Sequence, residues 1–299
     1  MARILLTGAN GFAGPYVAAA LANRAHAVIG LSRGVNTLVC PDITQWLHAD
    51  LSNMAQAAAA VAAARADAVI HLAAISFVAH EDVGEIYASN VLGTRNLLAA
   101  LVQAGMAGRV IIASSANIYG NRQAGRLDEA LTPDPRSDYA LSKLVCEQLA
   151  AMYGDRLAIT TVRPFNYTGV GQGKQFLIPK IIDHVVQRAP EIHLGNVDVA
   201  RDFSDVRFVA DAVARLLDCS AAAGQTVNIC SGRAVTITQL LALVRHISGH
   251  DLQVRIDPAL VRSQEVDQLW GSDTRLQGLI GPIDCPPLTD TLGWMLNAA

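Results

Sequence analysis

Short, nearly unbroken apolar runs alternate with longer stretches of helical spacing through the first half of the chain. Arg3–Thr7, Ala27–Ser32, Ala68–Leu72, Arg109–Ser114 and Ala158–Arg163 are apolar almost throughout, without the alternation of a half-exposed strand. Such runs predict strands of a parallel sheet covered on both faces. A further short strand is predicted near Trp46–Ala49. Between them, Tyr16–Asn23, the Ala-rich Met54–Arg65, Glu85–Ala104 and Tyr139–Tyr153 carry helical patterns. Strict strand–helix alternation predicts a doubly wound α/β sheet. The pattern loosens beyond Pro164, where a Gly-rich loop at Gly169–Gly173 precedes helical segments at Ile178–Gln187, Val206–Leu217 and Ile237–Ile247. The predicted division is a main domain over residues 1–165 and a smaller, less regular α/β lobe over 166–299, with some of the latter returning to the main sheet.

Length and composition narrow this picture. The 299 residues, 52% of them hydrophobic, suffice for one large or two unequal domains at about 100–200 residues each. A formal net charge of −3 gives no reason to expect nucleic acid or an anionic membrane as partner, although a local Arg cluster could still bind a phosphorylated substrate. Cys40, Cys146, Cys219, Cys230 and Cys285 are odd in number, widely spaced and free of C-x-x-C pairs. They are expected to be reduced thiols, neither a disulfide framework nor a metal site. The chain opens directly into a strand pattern with no signal-peptide features, and Ala55–Ala64 is too short to span a bilayer, so a cytoplasmic protein is expected.

The first strand runs into Thr7-Gly8-Ala9-Asn10-Gly11-Phe12-Ala13-Gly14 and then a helix. Glycines spaced G-x-x-G-x-x-G in that context permit a tight turn, close approach of backbone to a pyrophosphate and close helix–strand packing. The helix N-terminus offers N–H groups to phosphates, and Pro15 fits its first turn. Gly8, Asn10, Gly11, Phe12 and Gly14 are therefore expected to bind a dinucleotide. At the end of the second strand, where a carboxylate would bind the ribose 2′-hydroxyl of NAD, stand Ser32 and Arg33. Arg33 suits the 2′-phosphate of NADP, unless it is a solvated surface charge. Asp50 either accepts from the adenine amino group, beside Leu51, or caps the following helix.

Ser114-Ser115 end a strand at the sheet edge where ligands bind in such folds. Tyr139-Ala140-Leu141-Ser142-Lys143 opens a helix with Y-x-x-x-K, placing phenol and ammonium on one face. The ammonium is expected to lower the phenol pKa and so let Tyr139 exchange a proton near neutral pH, with Ser115 orienting the substrate oxygen.

Gly8–Gly14, His71-Leu72-Ala73-Ala74, Asn90-Val91-Leu92-Gly93-Thr94, Ser114–Gly120, Tyr139–Lys143 and Arg163-Pro164 together resemble the extended short-chain dehydrogenases/reductases of the NAD-dependent epimerase/dehydratase type. The resemblance covers nearly the whole chain. It implies a Rossmann-type domain with a nucleotide-sugar lobe, Ser115, Tyr139 and Lys143 as catalytic residues, and Leu72, Ala73, Ala74 and Asn90 around the cofactor. It also implies a homodimer built on the helices Glu85–Ala104 and Tyr139–Tyr153.

Arg163-Pro164-Phe165-Asn166, Phe176–Pro179, Gly195-Asn196 and Arg201-Asp202-Phe203 resemble, within that family, the reductases of GDP-4-keto-6-deoxy-D-mannose and the related GDP-mannose 4,6-dehydratases. This resemblance implies that Asn166 and Arg201 hold the nucleotide-sugar and that Arg262 is a second diphosphate-binding Arg, unless either Arg is a surface ion pair. Ser76, Ser115, Phe176, Pro179, Lys180, Asn196 and Glu265 join them on the substrate side. The dehydratases carry a carboxylate shortly after the catalytic Ser or Thr; Ala116 and Asn117 stand here instead. The expectation is an NADPH-dependent 4-keto reductase of a GDP-4-keto-6-deoxyhexose, with NAD(H) as the other cofactor and a nucleotide-sugar 4-epimerase or 4,6-dehydratase as the alternative activity.

Overall fold

A computed structural model describes residues 1–34, 40–78, 80–121, 125–261 and 266–299. Arg262 and Glu265 lie outside the described residues. The central sheet has strands β1 (Arg3–Thr7), β2 (Ala27–Ser32), β3 (Ile43–His48), β4 (Ala68–His71), β5 (Arg109–Ala113), β6 (Ala158–Pro164) and β7 (Thr226–Ile229). All pairs are parallel, in the order β7-β6-β5-β4-β1-β2-β3. The chain reverses its direction of winding between β1 and β4, and the carboxyl ends of these strands form the crevice where such folds bind ligands.

Side-chain alternation within β1 shows why both faces must be covered. Ile4 and Leu6 join Val28, Ile70, Ile111 and Val227 under helix α1 (Gly14–Ala22) and the helix Val206–Asp218. Leu5 joins Ile29, Val69, Val110 and Ile159 under α2 (Met54–Ala64), α3 (Gly93–Gln103) and α4 (Asp138–Tyr153). Burying each such side chain contributes about 1.5–3 kcal/mol. From the stretch expected to form the smaller lobe, Val206–Asp218 and β7 thus belong to the main sheet. The helix Thr274–Ile280 packs with them through Leu276, whereas the lobe proper is built around Ile178, Ile181, Ile182, Leu240 and Leu292. It includes a four-stranded sheet in which Ala200–Arg201 lies between Val235–Thr236 and Gln268–Gly271, with Gly125–Leu127 on the far edge.

Two expectations are corrected. The strand near Trp46–Ala49 begins earlier, at Ile43, because it is a half-exposed edge strand whose polar Thr44 and Gln45 break the apolar run. The helix expected over Glu85–Ala104 is a short turn Val83–Ile86, a π-helical turn Tyr87–Leu92 and α3 in succession. The π turn carries Asn90, whose buried side chain bonds to Ile75 and Ser142 and whose carbonyl accepts from Thr94 Oγ1 and Cys146 Sγ.

Candidate active site

The glycine turn follows β1 with the geometry its spacing implies, and each glycine has its own reason. Gly8 has φ +68° and sits so close to β4's exit that a Cβ would lie 2.7 Å from the Ala73 nitrogen. At Gly14 a Cβ would lie 2.2 Å from the Ala9 oxygen, so helix α1 can approach the turn only without a side chain there. Gly11 is exposed, and a Cβ on it would meet Gly8 O alone, at 3.1 Å. It keeps the space above the turn open. Helix α1 has Ala13 as N-cap with no side-chain acceptor, so its first turn is left to an external anion. These features fit a pyrophosphate. Asn10 is exposed above the turn, and Phe12 stacks on Tyr167 at 5.9 Å and 9°.

Leu72, Ala73, Ala74 and Ser76 continue from β4, and a buried polar chain fixes them. The Ala73 N–H donates to Thr7 Oγ1 at 3.2 Å, and Thr7 Oγ1 meets His71 Nδ1 at 2.7 Å. His71 Nε2 lies 2.9 Å from Thr94 Oγ1, which donates to Asn90 O at 2.5 Å. This relay is complete with a neutral imidazole protonated on Nε2. Burial, with the nearby Lys143 charge, depresses the His71 pKa to about 3. The unfolded chain, with a His near 6.5, therefore takes up a proton that the native state refuses, and stability falls as pH drops below 6.5. From pH 7 to 5 the expected loss is about 2 kcal/mol in urea unfolding, and an unchanged midpoint over that range would contradict this account.

Asn90 ties the same loop to the catalytic helix. It accepts from Ile75 N at 2.8 Å, donates to Ile75 O at 3.1 Å and donates to Ser142 Oγ at 3.0 Å. Helix α4, N-capped by Ser137, buries both Tyr139 and Lys143. Lys143 Nζ donates to Ala113 O at 2.8 Å, which leaves two of its three N–H groups for a ligand. The expected lowering of the Tyr139 pKa by Lys143 is corrected: burial pushes the phenol up, and the hydroxyl of Ser115 is what pulls it back. Burial likewise lowers the Lys143 pKa. Ser115 Oγ accepts two N–H bonds from Asn117, at 3.2 Å from its backbone and 3.1 Å from its side chain. Its own proton is thereby free to point at the phenol or at a substrate oxygen. The neighbouring Ser114 hydroxyl is buried and has no hydrogen-bond partner among the described residues.

Other expected positions resolve differently. Asp50 does not cap α2; Asn53 does, and Asp50 accepts from Ser52 N and Oγ, which holds its carboxyl below the usual range. Leu51 is buried beside it. Ser32 is buried and spends its proton on Gly34 O at 2.7 Å. Arg33 is neither free nor simply solvated: it pairs with Glu85 at 3.0 Å. On the lobe side, Asn166 is exposed and donates to Asp202 O at 3.1 Å. Arg201 donates to the Ala200 and Val266 carbonyls at 2.8 and 2.9 Å, so part of its fork holds the Val266 strand entry in place. Phe176 meets Phe77 edge-on at 5.9 Å, which joins the lobe to the loop after Ser76. Pro179 is buried in the first turn of helix Leu177–Val186, Lys180 donates to His193 O at 2.8 Å, and Asn196 accepts from Asp198 N at 3.0 Å.

Sequence reasoning gave no role to Tyr167, Phe77 or Glu85. Tyr167 is packed between Phe12 and the neighbourhood of Tyr139, and burial raises its phenol pKa. Its place directly after Asn166 was the available signal. Phe77 lies in the loop after β4 and Glu85 in the short turn Val83–Ile86, and neither belongs to a motif.

Glycine turn, Y-x-x-x-K helix and strand-end serine converge at one crevice of a parallel sheet, which defines a dinucleotide-dependent oxidoreductase of the short-chain type. The chain belongs to the NAD dependent epimerase/dehydratase family, whose model matches residues 4–230. It is 32% identical over 280 residues to the GDP-6-deoxy-D-talose 4-dehydrogenase of Aggregatibacter actinomycetemcomitans, covering 93% of this chain and 91% of the relative. It is 34% identical over 306 residues to the GDP-6-deoxy-D-mannose reductase of Pseudomonas aeruginosa, covering 98% and 91%. Among solved structures, one from Burkholderia cenocepacia is 44% identical with a TM-score of 0.93, covering 99% of this chain and 97% of that one. The structure of RMD from Pseudomonas aeruginosa complexed with NADPH is 31% identical, with a TM-score of 0.86 and coverage of 100% and 97%.

Proposed function

We propose that this enzyme uses NADPH to reduce the C4 keto group of a GDP-4-keto-6-deoxyhexose, giving GDP-D-rhamnose or its C4 epimer GDP-6-deoxy-D-talose. The carrying observation is the polar set around Tyr139. Ser115 meets its hydroxyl and is itself held by Asn117 on the strand-end turn, and among the described residues no carboxylate bonds to Ser115 or Tyr139. Such a site can deliver one proton and orient one carbonyl. It has no base beside Ser115 for a proton on a neighbouring carbon, as a 4,6-dehydratase would need. Both GDP-deoxysugar relatives are named for redox chemistry on such a sugar.

When bound, the nicotinamide supplies the hydride. Lys143 would hold the adjoining ribose through the N–H groups that Ala113 O leaves over. Ser115 donates to the sugar O4, and Tyr139 delivers the proton to that oxygen as it gains charge. Asn166 and Arg201 line the lobe side, where the planar fork of Arg suits diphosphate oxygens.

With GDP-4-keto-6-deoxy-D-mannose, NADPH oxidation should match product formation one to one. Tightly held NAD(H) in the purified protein, with interconversion of sugars and no net NADPH consumption, would replace this reading with a 4-epimerase. Arg33→Met is expected to raise the KM for NADPH by about tenfold or more while barely moving that for NADH, as loss of a charge-assisted phosphate bond implies. Equal effects on both cofactors would show that Arg33 does not meet the 2′-phosphate.

The reading extends to assembly and place. Leu92, Leu141 and Met152 are 48%, 42% and 71% exposed on the Tyr87–Gln103 and α4 segments, an apolar surface suited to a homodimer through a four-helix interface. No helix among the described residues is long and apolar enough to cross a membrane, and a cytoplasmic enzyme is the reading that suits a nucleotide-sugar substrate.

A further inference from the structure

We propose that Glu85 sets the discrimination between the two nicotinamide cofactors, by competing with a 2′-phosphate for the guanidinium of Arg33. This rests on the reading of Arg33 as the group that meets the 2′-phosphate.

Arg33 directly follows β2, and Glu85 lies in the turn Val83–Ile86 that follows β4. Since β1 lies between those two strands, the Arg33–Glu85 pair bridges the sheet edge that carries the glycine turn. Arg33 Nη1 stands 3.0 Å from Glu85 Oε1, and Glu85 Oε2 stands 3.0 Å from His80 Nε2. Both carboxylate oxygens are thus engaged, and Asp82 fixes the start of the turn by accepting from Glu85 N at 2.9 Å. Arg33 in turn holds the Glu85 carboxyl below its ordinary range, with His80 adding to the effect. Asp50 lies close enough to feel the same guanidinium. Arg33 therefore faces two carboxylates already.

An incoming 2′-phosphate, carrying nearly two negative charges, must draw the guanidinium away from Glu85 or share it, and in either case settles beside a carboxylate. A ribose 2′-hydroxyl makes no such demand; it leaves the ion pair intact and can donate to Glu85. The carboxylate thus disfavours NADPH and not NADH. Arg33 and Glu85 side chains are 64% and 37% exposed, so the penalty is that of partly solvated charges, about five- to tenfold in affinity.

The test is Glu85→Gln, which removes the charge and keeps the shape. Dissociation constants for NADPH and NADH are measured by fluorescence titration, with adenosine 2′,5′-bisphosphate and AMP as probes lacking nicotinamide. The ratio of the NADH to the NADPH constant should rise about fivefold or more. The bisphosphate should gain affinity while AMP does not, and the gain should shrink at high salt. In an Arg33→Met background the shift should fall to less than half. A ratio that stays the same or drops in Glu85→Gln, or a shift of equal size with and without Arg33, overturns the proposal. The wild-type ratio reports separately on the cofactor itself. Wild-type protein that binds NADH more tightly would remove the NADPH reading, while the change on Glu85→Gln would still decide the role of Glu85.

Discussion

Tyr139→Phe is expected to lower kcat for keto-sugar reduction by about 10²- to 10⁴-fold while NADPH still binds, because the ring is kept and the proton donor is lost. Burial holds the phenol above its ordinary value of 10, with Ser115 pulling in the other direction. The donor is therefore fully protonated through the neutral range. Reduction consumes that proton, so its rate should be flat around pH 7 and fall as pH climbs through the raised phenol value. Oxidation of the alcohol needs the phenolate and should show the opposite slope. A pH profile of kcat/KM in both directions measures this, and a reductive rate that rises from pH 7 to 9 would exclude Tyr139 as the acid. Retention of wild-type kcat by Tyr139→Phe would exclude it outright. The same substitution distinguishes an enzyme from a protein that merely senses the cofactor, since a sensor would lose nothing.

What could be read in the sequence was local. Gly8, Gly11 and Gly14 are legible because a tight turn, an open space and a close helix approach each demand the absence of a Cβ within seven consecutive residues. Tyr139 and Lys143 are legible because one helical turn separates them. The partners of these residues are not local. Lys143 bonds to Ala113, thirty positions earlier, and Arg33 pairs with Glu85, fifty-two positions later. No period or motif records those distances. The π turn at Tyr87–Leu92 is hidden for a related reason: its apolar spacing is that of an ordinary helix, and the bonds its Asn90 makes, to Ile75 and Ser142, are distant in sequence. The motif around Arg201 likewise mixes roles. Its neighbour Asp202 is a buried clamp, accepting from Ser231, Gly232 and Gly271, and Asp205 caps the next helix while bonding Arg207 and Thr291. Spacing alone cannot tell such framework groups from ligand groups, because both need a polar side chain at a strand end.

The largest stability effect is expected at Glu147. Arg163 and Glu147 are paired in two bonds, Nε to Oε1 at 2.9 Å and Nη2 to Oε2 at 2.7 Å, with side chains 7% and 9% exposed. Arg163 also donates to the Tyr119 hydroxyl at 2.9 Å and lies 5.0 Å over its ring. Tyr119 in turn donates to Asn228 Oδ1 at 2.7 Å, and burial pushes its phenol up to about 12, so it remains a donor under all ordinary conditions. Glu147→Ala would strand a buried guanidinium whose charge cannot be given up. A loss of about 3–5 kcal/mol in denaturant unfolding is expected. Replacing both partners with Leu should restore much of that, since the desolvation cost of the pair disappears with it. The double variant then separates stability from function. Tyr119 ends the turn that begins at Ser115, so a fold rescued by Leu at both positions still loses one of the two bonds that hold the Tyr119 hydroxyl behind the turn. Its kcat should stay below wild type even where its unfolding midpoint recovers. Recovery of both together would mean that the buried pair serves the fold alone and leaves Ser115 to Asn117.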